Sequence, residues 1–109
     1  MKSHGADSPN DKLVRRIRSL PRVAVQNSLM RVGDRQIALS MMFMEDADRE
    51  FIFSVLPIAK VKRIREELKL QRRLKITYDQ YKKSVAIVYQ GVMRDRGNDT
   101  TRSYIRPAR

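Results

Sequence analysis

Lys62, Arg65, Lys69 and Arg72 stand at i, i+3, i+7 and i+10, and Arg73 follows directly. On a helix turning about 100° per residue they share a sector about 80° wide and span roughly 15 Å along the axis. That geometry suits successive phosphates, which need several cations along a line rather than one deep pocket. Glu66 and Glu67 have the spacing to pair with Lys62, Arg63 and Lys69, as on an ordinary solvated helix face. Residues 60–83 nevertheless hold ten cations against Glu66, Glu67 and Asp79, so at least seven positive charges lack a local partner. Lys82 and Lys83, then Arg94, Arg96, Arg102, Arg106 and Arg109, extend the row, and Tyr104 adds a ring on which a base could stack.

The acidic residues offer a second chemistry. Asp46, Asp48 and Glu50 alternate after Glu45, which would turn three carboxylates to one side for Mg²⁺ or Ca²⁺. The glycine and the length of an EF-hand loop are missing, so the segment reads as a solvated hairpin tip and no metal site is assigned. A contact between this tip and the basic helix of a neighbouring copy is the alternative. Nucleophilic and acid–base catalysis have little to stand on. His4 is the single histidine and lies in an aperiodic arm, there is no cysteine, and Gly5, Gly33, Gly91 and Gly97 form no phosphate-cradling loop. We therefore expect no enzyme, no cofactor and no small-molecule substrate.

Charge supports the emphasis on the basic row. The formal net charge is +12, with 9 Lys+Arg against 7 Asp+Glu in residues 1–57 and 15 against 5 in residues 58–109. A surface of one sign attracts polyanions, nucleic acid first among them. Hydrophobic residues at 41% and charged residues at 33% describe one highly charged globular domain in a chain of 109 residues. Missing cysteine suits a reducing compartment, and no stretch approaches the roughly 18 apolar residues that cross a bilayer or resembles a secretory leader. The expected setting is the cytoplasm, away from membranes.

The elements that must position these residues come from periodicity. Residues 1–8 read as a mobile arm. Ser8 and Asp11 resemble a capping box, Pro9 suits the first helical position, and Leu13, Ile17 and Leu20 recur at helical spacing, giving a first helix that ends at Pro21. Val23, Val25 and Leu29, then Ile37 to Met44 beyond the Gly33-Asp34 turn, then Phe51 to Leu56, read as three strands. Met41, Met42 and Met44 are expected in the core, with an adaptable binding face as the alternative. A second helix is placed at about 57–71, its buried stripe formed by Ile58, Val61, Ile64 and Leu68. Leu74 to Tyr78 and Val85 to Tyr89 then form a second hairpin turning at Lys82-Lys83, and residues 94–109 read as a mobile basic tail. The expected fold class is α+β, a largely antiparallel sheet of about five strands in the order α-β-β-β-α-β-β over residues 9–93, with helices packed on one face.

The α-β-β-β-α order over residues 9–71 resembles the double-stranded RNA-binding domain, with Lys60, Lys62 and Arg63 where that family places its phosphate-binding lysines. The family's first-hairpin residues are absent around Gly33-Asp34, and the 74–93 hairpin is an addition, so no site is carried over.

The expected function is binding of nucleic acid, RNA ahead of DNA, through phosphate contacts from Lys62, Arg65, Lys69, Arg72, Arg73, Lys82, Lys83, Arg94 and Arg96, with Tyr104 stacking. Asn27, Gln71, Gln80, Gln90 and Tyr104 are the few side chains suited to reading bases, so specificity should be weak. A homo-oligomer, or a module docking an acidic protein through the same ridge, is the reading from another class.

Overall fold

Ser8 opens a helix as its spacing predicts. Its hydroxyl accepts from the Asp11 backbone N–H at 3.3 Å, and the Asp11 carboxylate accepts from the Ser8 N–H at 3.1 Å. The structure, a computed structural model, describes residues 8–102, with side chains described as far as Met93. Six helices follow in order: α1 (Pro9–Ser19), α2 (Arg22–Met30), α3 (Asp34–Met41), α4 (Asp46–Ser54), α5 (Ile58–Arg73) and α6 (Tyr78–Arg102). Among the described residues there is no strand. The α+β class, the antiparallel sheet and both hairpins are therefore corrected to an all-helical fold, and the topology behind the resemblance to the double-stranded RNA-binding domain disappears with them.

Each corrected segment has a physical reason. In α2, Val25 and Leu29 are buried four residues apart, with Val32 three further on, whereas Val23 faces solvent; the apolar period is that of a helix, not two. The run from Ile37 to Met41 is buried on both faces because this part of α3 is covered on all sides, the helix packing against both α5 and α6. A short continuous apolar run does not by itself distinguish a buried strand from a buried helix. The segment 45–50 is the start of α4, where Glu45 is the N-cap residue and Asp46 and Asp48 stand in the first turn. Carboxylates there face the positive end of the helix dipole.

The largest correction concerns residues 74–93. Thr77 Oγ1 accepts from the Gln80 N–H at 3.0 Å and Gln80 Oε1 accepts from the Thr77 N–H at 2.8 Å, a reciprocal cap that starts α6. Tyr81, Val85, Val88 and Val92 then line one buried stripe at spacings of four, three and four. The β-branched residues favour a strand locally, but burial of this stripe against α1, α2 and α3 outweighs that preference of a few tenths of a kcal/mol per residue. Gly91 sits where α6 comes nearest Val32; a Cβ at that position would stand 3.0 Å from Val32 Cγ2.

The core joins Leu13 and Ile17 of α1 to Val25 and Leu29, Ile37 and Met41, Ile52 and Phe53, Ile64 and Leu68, and the α6 stripe. Met41 and Met44 are buried and Met42 packs against the same cluster, so the methionines belong to the interior. Asn10 and Tyr81, both buried, tie the two ends of the domain through a 2.8 Å hydrogen bond from Asn10 Nδ2 to the phenol oxygen. Burial raises the Tyr81 hydroxyl above its ordinary value, against the opposing pull of that hydrogen bond.

Replacing Ile64, which is fully buried, with Ala should cost about 2–5 kcal/mol. Thr77→Ala should cost about 1 kcal/mol through loss of the α6 cap. Urea unfolding followed by far-ultraviolet circular dichroism measures both, and a Thr77→Ala protein as stable as the parent would contradict the cap assignment.

Candidate functional site

Helix α5 turns Lys60, Ile64, Leu68 and Gln71 inward. This fixes its rotation and corrects one expectation: Ile58, assigned to the buried stripe, is 86% exposed. It shares the outward sector with Lys62, Arg65, Lys69, Arg72 and Arg73, all five of which are exposed. The expected row of cations exists, on a helix two residues longer at its C-terminal end than the spacing predicted.

The row is largely uncompensated. Arg65 lies 3.5 Å from a Glu50 carboxylate oxygen and holds its guanidinium 4.3 Å from the centre of the Phe53 ring, so it is fixed by α4. Lys62, Lys69, Arg72 and Arg73 have no anionic partner among the described residues. Local pairing with Glu66 and Glu67 is not made: Glu67 accepts instead from Gln71 Nε2 at 3.3 Å, and Arg63 turns to Asp34 at 2.9 Å. Beside the row, a groove of 260 Å³ between α4 and α5 is walled by Glu50 and Phe53 on one side and Arg65, Lys69 and Arg72 on the other.

Lys60 shows the opposite fate of a cation on the same helix. It is 4% exposed, donates to the Val32 carbonyl at 2.8 Å, and stands 2.8 Å from Asp34 Oδ1, while Arg63 holds the other carboxylate oxygen. A buried ammonium needs such an arrangement, because taking its charge out of water costs several kcal/mol. Burial pushes the Asp34 carboxyl up, but the contacts from Lys60 and Arg63 to its ionised form prevail and lower it below the ordinary 3.8. Nothing in the sequence marks this pair, whose members are 26 positions apart.

The acidic segment is spent on structure. Asp46 pairs with Arg49, Asp48 with Arg18 at 2.8 Å, and Glu50 with Arg65. Arg49 also donates to the carbonyls of Met41 at 3.1 Å and Met44 at 2.8 Å, closing the end of α3. The carboxylates diverge to different cations, and among the described residues no group of three His, Cys, Asp or Glu is placed to hold a metal.

The remaining expected residues scatter. Lys82 and Lys83 stand on the second turn of α6 rather than at a hairpin tip; Lys83 pairs with Asp79 at 3.4 Å and Lys82 lies 5.4 Å over the Tyr78 ring. Arg94, Arg96 and Arg102 lie on the backbone of α6, with side chains outside those described, and His4, Tyr104, Arg106 and Arg109 lie outside the described residues. Of the base-reading candidates, Gln71 is buried and Gln80 is committed to the α6 cap, whereas Asn27 and Gln90 are exposed. What this face offers chemically is electrostatic binding by spaced cations.

Comparison with protein-family models, with curated proteins and with solved structures returns no match to the chain.

The buried pair makes a sharp prediction. Asp34→Ala should cost about 3 kcal/mol because Lys60 is left uncompensated, whereas the double variant Asp34→Ala/Lys60→Met, which removes both buried charges, should recover most of that loss. Since the folded carboxyl is lowered, its stabilisation is fully present above 3.8 and is lost as pH falls below that through the folded value. Urea midpoints measured across the acid range should show that limb in the parent and lack it in Asp34→Ala.

Proposed function

We propose that the chain is a non-enzymatic nucleic-acid-binding protein that holds phosphates along the outer face of α5, with weak sequence specificity. The observation that carries the reading is the set Lys62, Lys69, Arg72 and Arg73: four exposed cations on one helical face, without an anionic partner among the described residues. Their line, rather than a pocket, is the form that phosphate contacts take, and each cation that displaces a condensed counterion adds to affinity. Arg65, held over the Phe53 ring, supplies a pre-oriented guanidinium at low entropic cost. With Gln71 buried and Gln80 held in the α6 cap, Asn27 and Gln90 are the exposed amide side chains left among the described residues to read base edges, which supports weak specificity.

No helix among the described residues is long and apolar enough to cross a membrane. A cytoplasmic setting is part of the proposal, since a chain without cysteine suits a reducing compartment.

Substituting Lys62, Lys69 and Arg72 together with Gln should leave the unfolding midpoint unchanged, as all three side chains are exposed. The slope of log affinity against log salt for RNA and DNA strands should shrink by about 2–3. Affinity and slope equal to the parent's for every strand would remove the proposal. Salt-sensitive binding of an acidic protein, with no nucleic acid bound, would replace it with protein docking.

A further inference from the structure

Two aromatic side chains are left in water beside a buried third. Phe43, in the connection between α3 and α4, and Tyr78, the first residue of α6, are each 61% exposed. Between them lies the buried Tyr81, whose ring centre is 4.8 Å from that of Phe43, edge to face, and 5.8 Å from that of Tyr78. The three rings and residues Ser8, Pro9 and Asn10 line a groove of 290 Å³. A scattered exposed apolar residue means little, but two exposed rings set around one groove form a platform.

The chemistry of the groove favours a flat, anionic occupant. No carboxylate lines it, and the Lys82 ammonium lies 5.4 Å over the Tyr78 ring at its edge. Tyr81 accepts from Asn10 through its phenol oxygen, which leaves the phenol proton without an acceptor among the described residues. That proton suits a carbonyl or ring nitrogen on the edge of a heterocycle, whereas the Ser8 hydroxyl is spent, donating to Asn10 Oδ1 at 3.1 Å. The groove also lies within reach of the basic row: Tyr78 follows Arg73 by five residues, at most about 18 Å of chain. Aromatic faces next to a track of cations are how proteins hold unpaired strands, stacking bases on rings while the cations follow the backbone.

We propose that this groove takes an unpaired base of a single-stranded nucleic acid, stacked on the exposed rings of Phe43 and Tyr78, while the adjoining phosphates run toward α5. The assignment rests on the phosphate-binding reading and adds the strand state and a base-binding position to it.

The full chain is titrated with a labelled ten-nucleotide thymidine strand and with an abasic strand of the same length and charge, followed by fluorescence anisotropy. The base-bearing strand should bind roughly 5- to 150-fold more tightly for each stacked base. In Phe43→Ala/Tyr78→Ala the two strands should bind equally, at the affinity the parent shows for the abasic strand. Phe43→Leu/Tyr78→Leu, which keeps the apolar bulk and removes the rings, should behave likewise, so a folding defect in the first variant is separable. If the parent binds both strands equally and with strong salt dependence, the groove proposal fails and the phosphate reading stands. If it binds neither, both fail. Capture of a tyrosine-containing acidic peptide without any base preference assigns the groove to a protein partner and overturns the inference.

Discussion

Beyond its first turn, helix α3 has no face for water. Ile37, Ala38, Leu39, Ser40 and Met41 are all buried, and a helical segment buried on every side is stable only inside other structure. The rest of the domain supplies that cover: α5 and α6 pack on α3, α6 also receives α1 and α2, and Arg49 from α4 closes the carbonyl end of α3. Even its buried serine is satisfied within the helix, the Ser40 hydroxyl donating to the Ile37 carbonyl at 2.7 Å. Ser28, likewise buried in α2, donates to the Ala24 carbonyl at 2.8 Å.

Covering α3 sorts the charges of α5. The helix must present Ile64 and Leu68 inward, and at 100° per residue this carries Lys60 and Gln71 inward too, while the sector holding Lys62, Lys69 and Arg72 turns to solvent. Lys60 survives burial because Asp34, in the first turn of α3, meets it there; the same carboxylate draws Arg63 aside from the outer row. The acids of α4 are likewise committed to Arg18, Arg49 and Arg65. The positive surface is thus what is left after Asp34, Asp48 and Glu50 have been used to join helices and Asp46 to pair within its own. Such pairs between exposed groups add little stability each, and their larger effect is on where the net charge lies.

How much of this was legible varies by element. The box Ser8-Pro9-Asn10-Asp11 and the run behind it define α1, and Pro57 followed by an uninterrupted helical period defines α5, because both signals are local. The cationic sector of α5 was legible for the same reason. The three segments between residues 22 and 56 whose pattern suggests strands are the helices α2, α3 and α4. Val25, Leu29 and Val32 carry a helical period that the isolated valines obscure, and the unbroken apolar run of α3 contains no period at all. In α6 the Thr77-Gln80 cap and the Tyr81, Val85, Val88, Val92 spacing were both present in the sequence, masked by a β-branched run whose preference is weak.

The sequence by itself determined the number and sign of the charges, their concentration after residue 57, the caps of α1 and α6 and the angular sector that the outer cations share, since all of these follow from composition or from neighbours within a turn. Only the tertiary structure decided which way α5 is rotated, which lysine is buried against Asp34, which acids neutralise which arginines, and that Phe43, Tyr78 and Tyr81 meet. Those outcomes join residues tens of positions apart. They depend on how the other helices pack around α3 and α6, a condition that no local window of the chain contains.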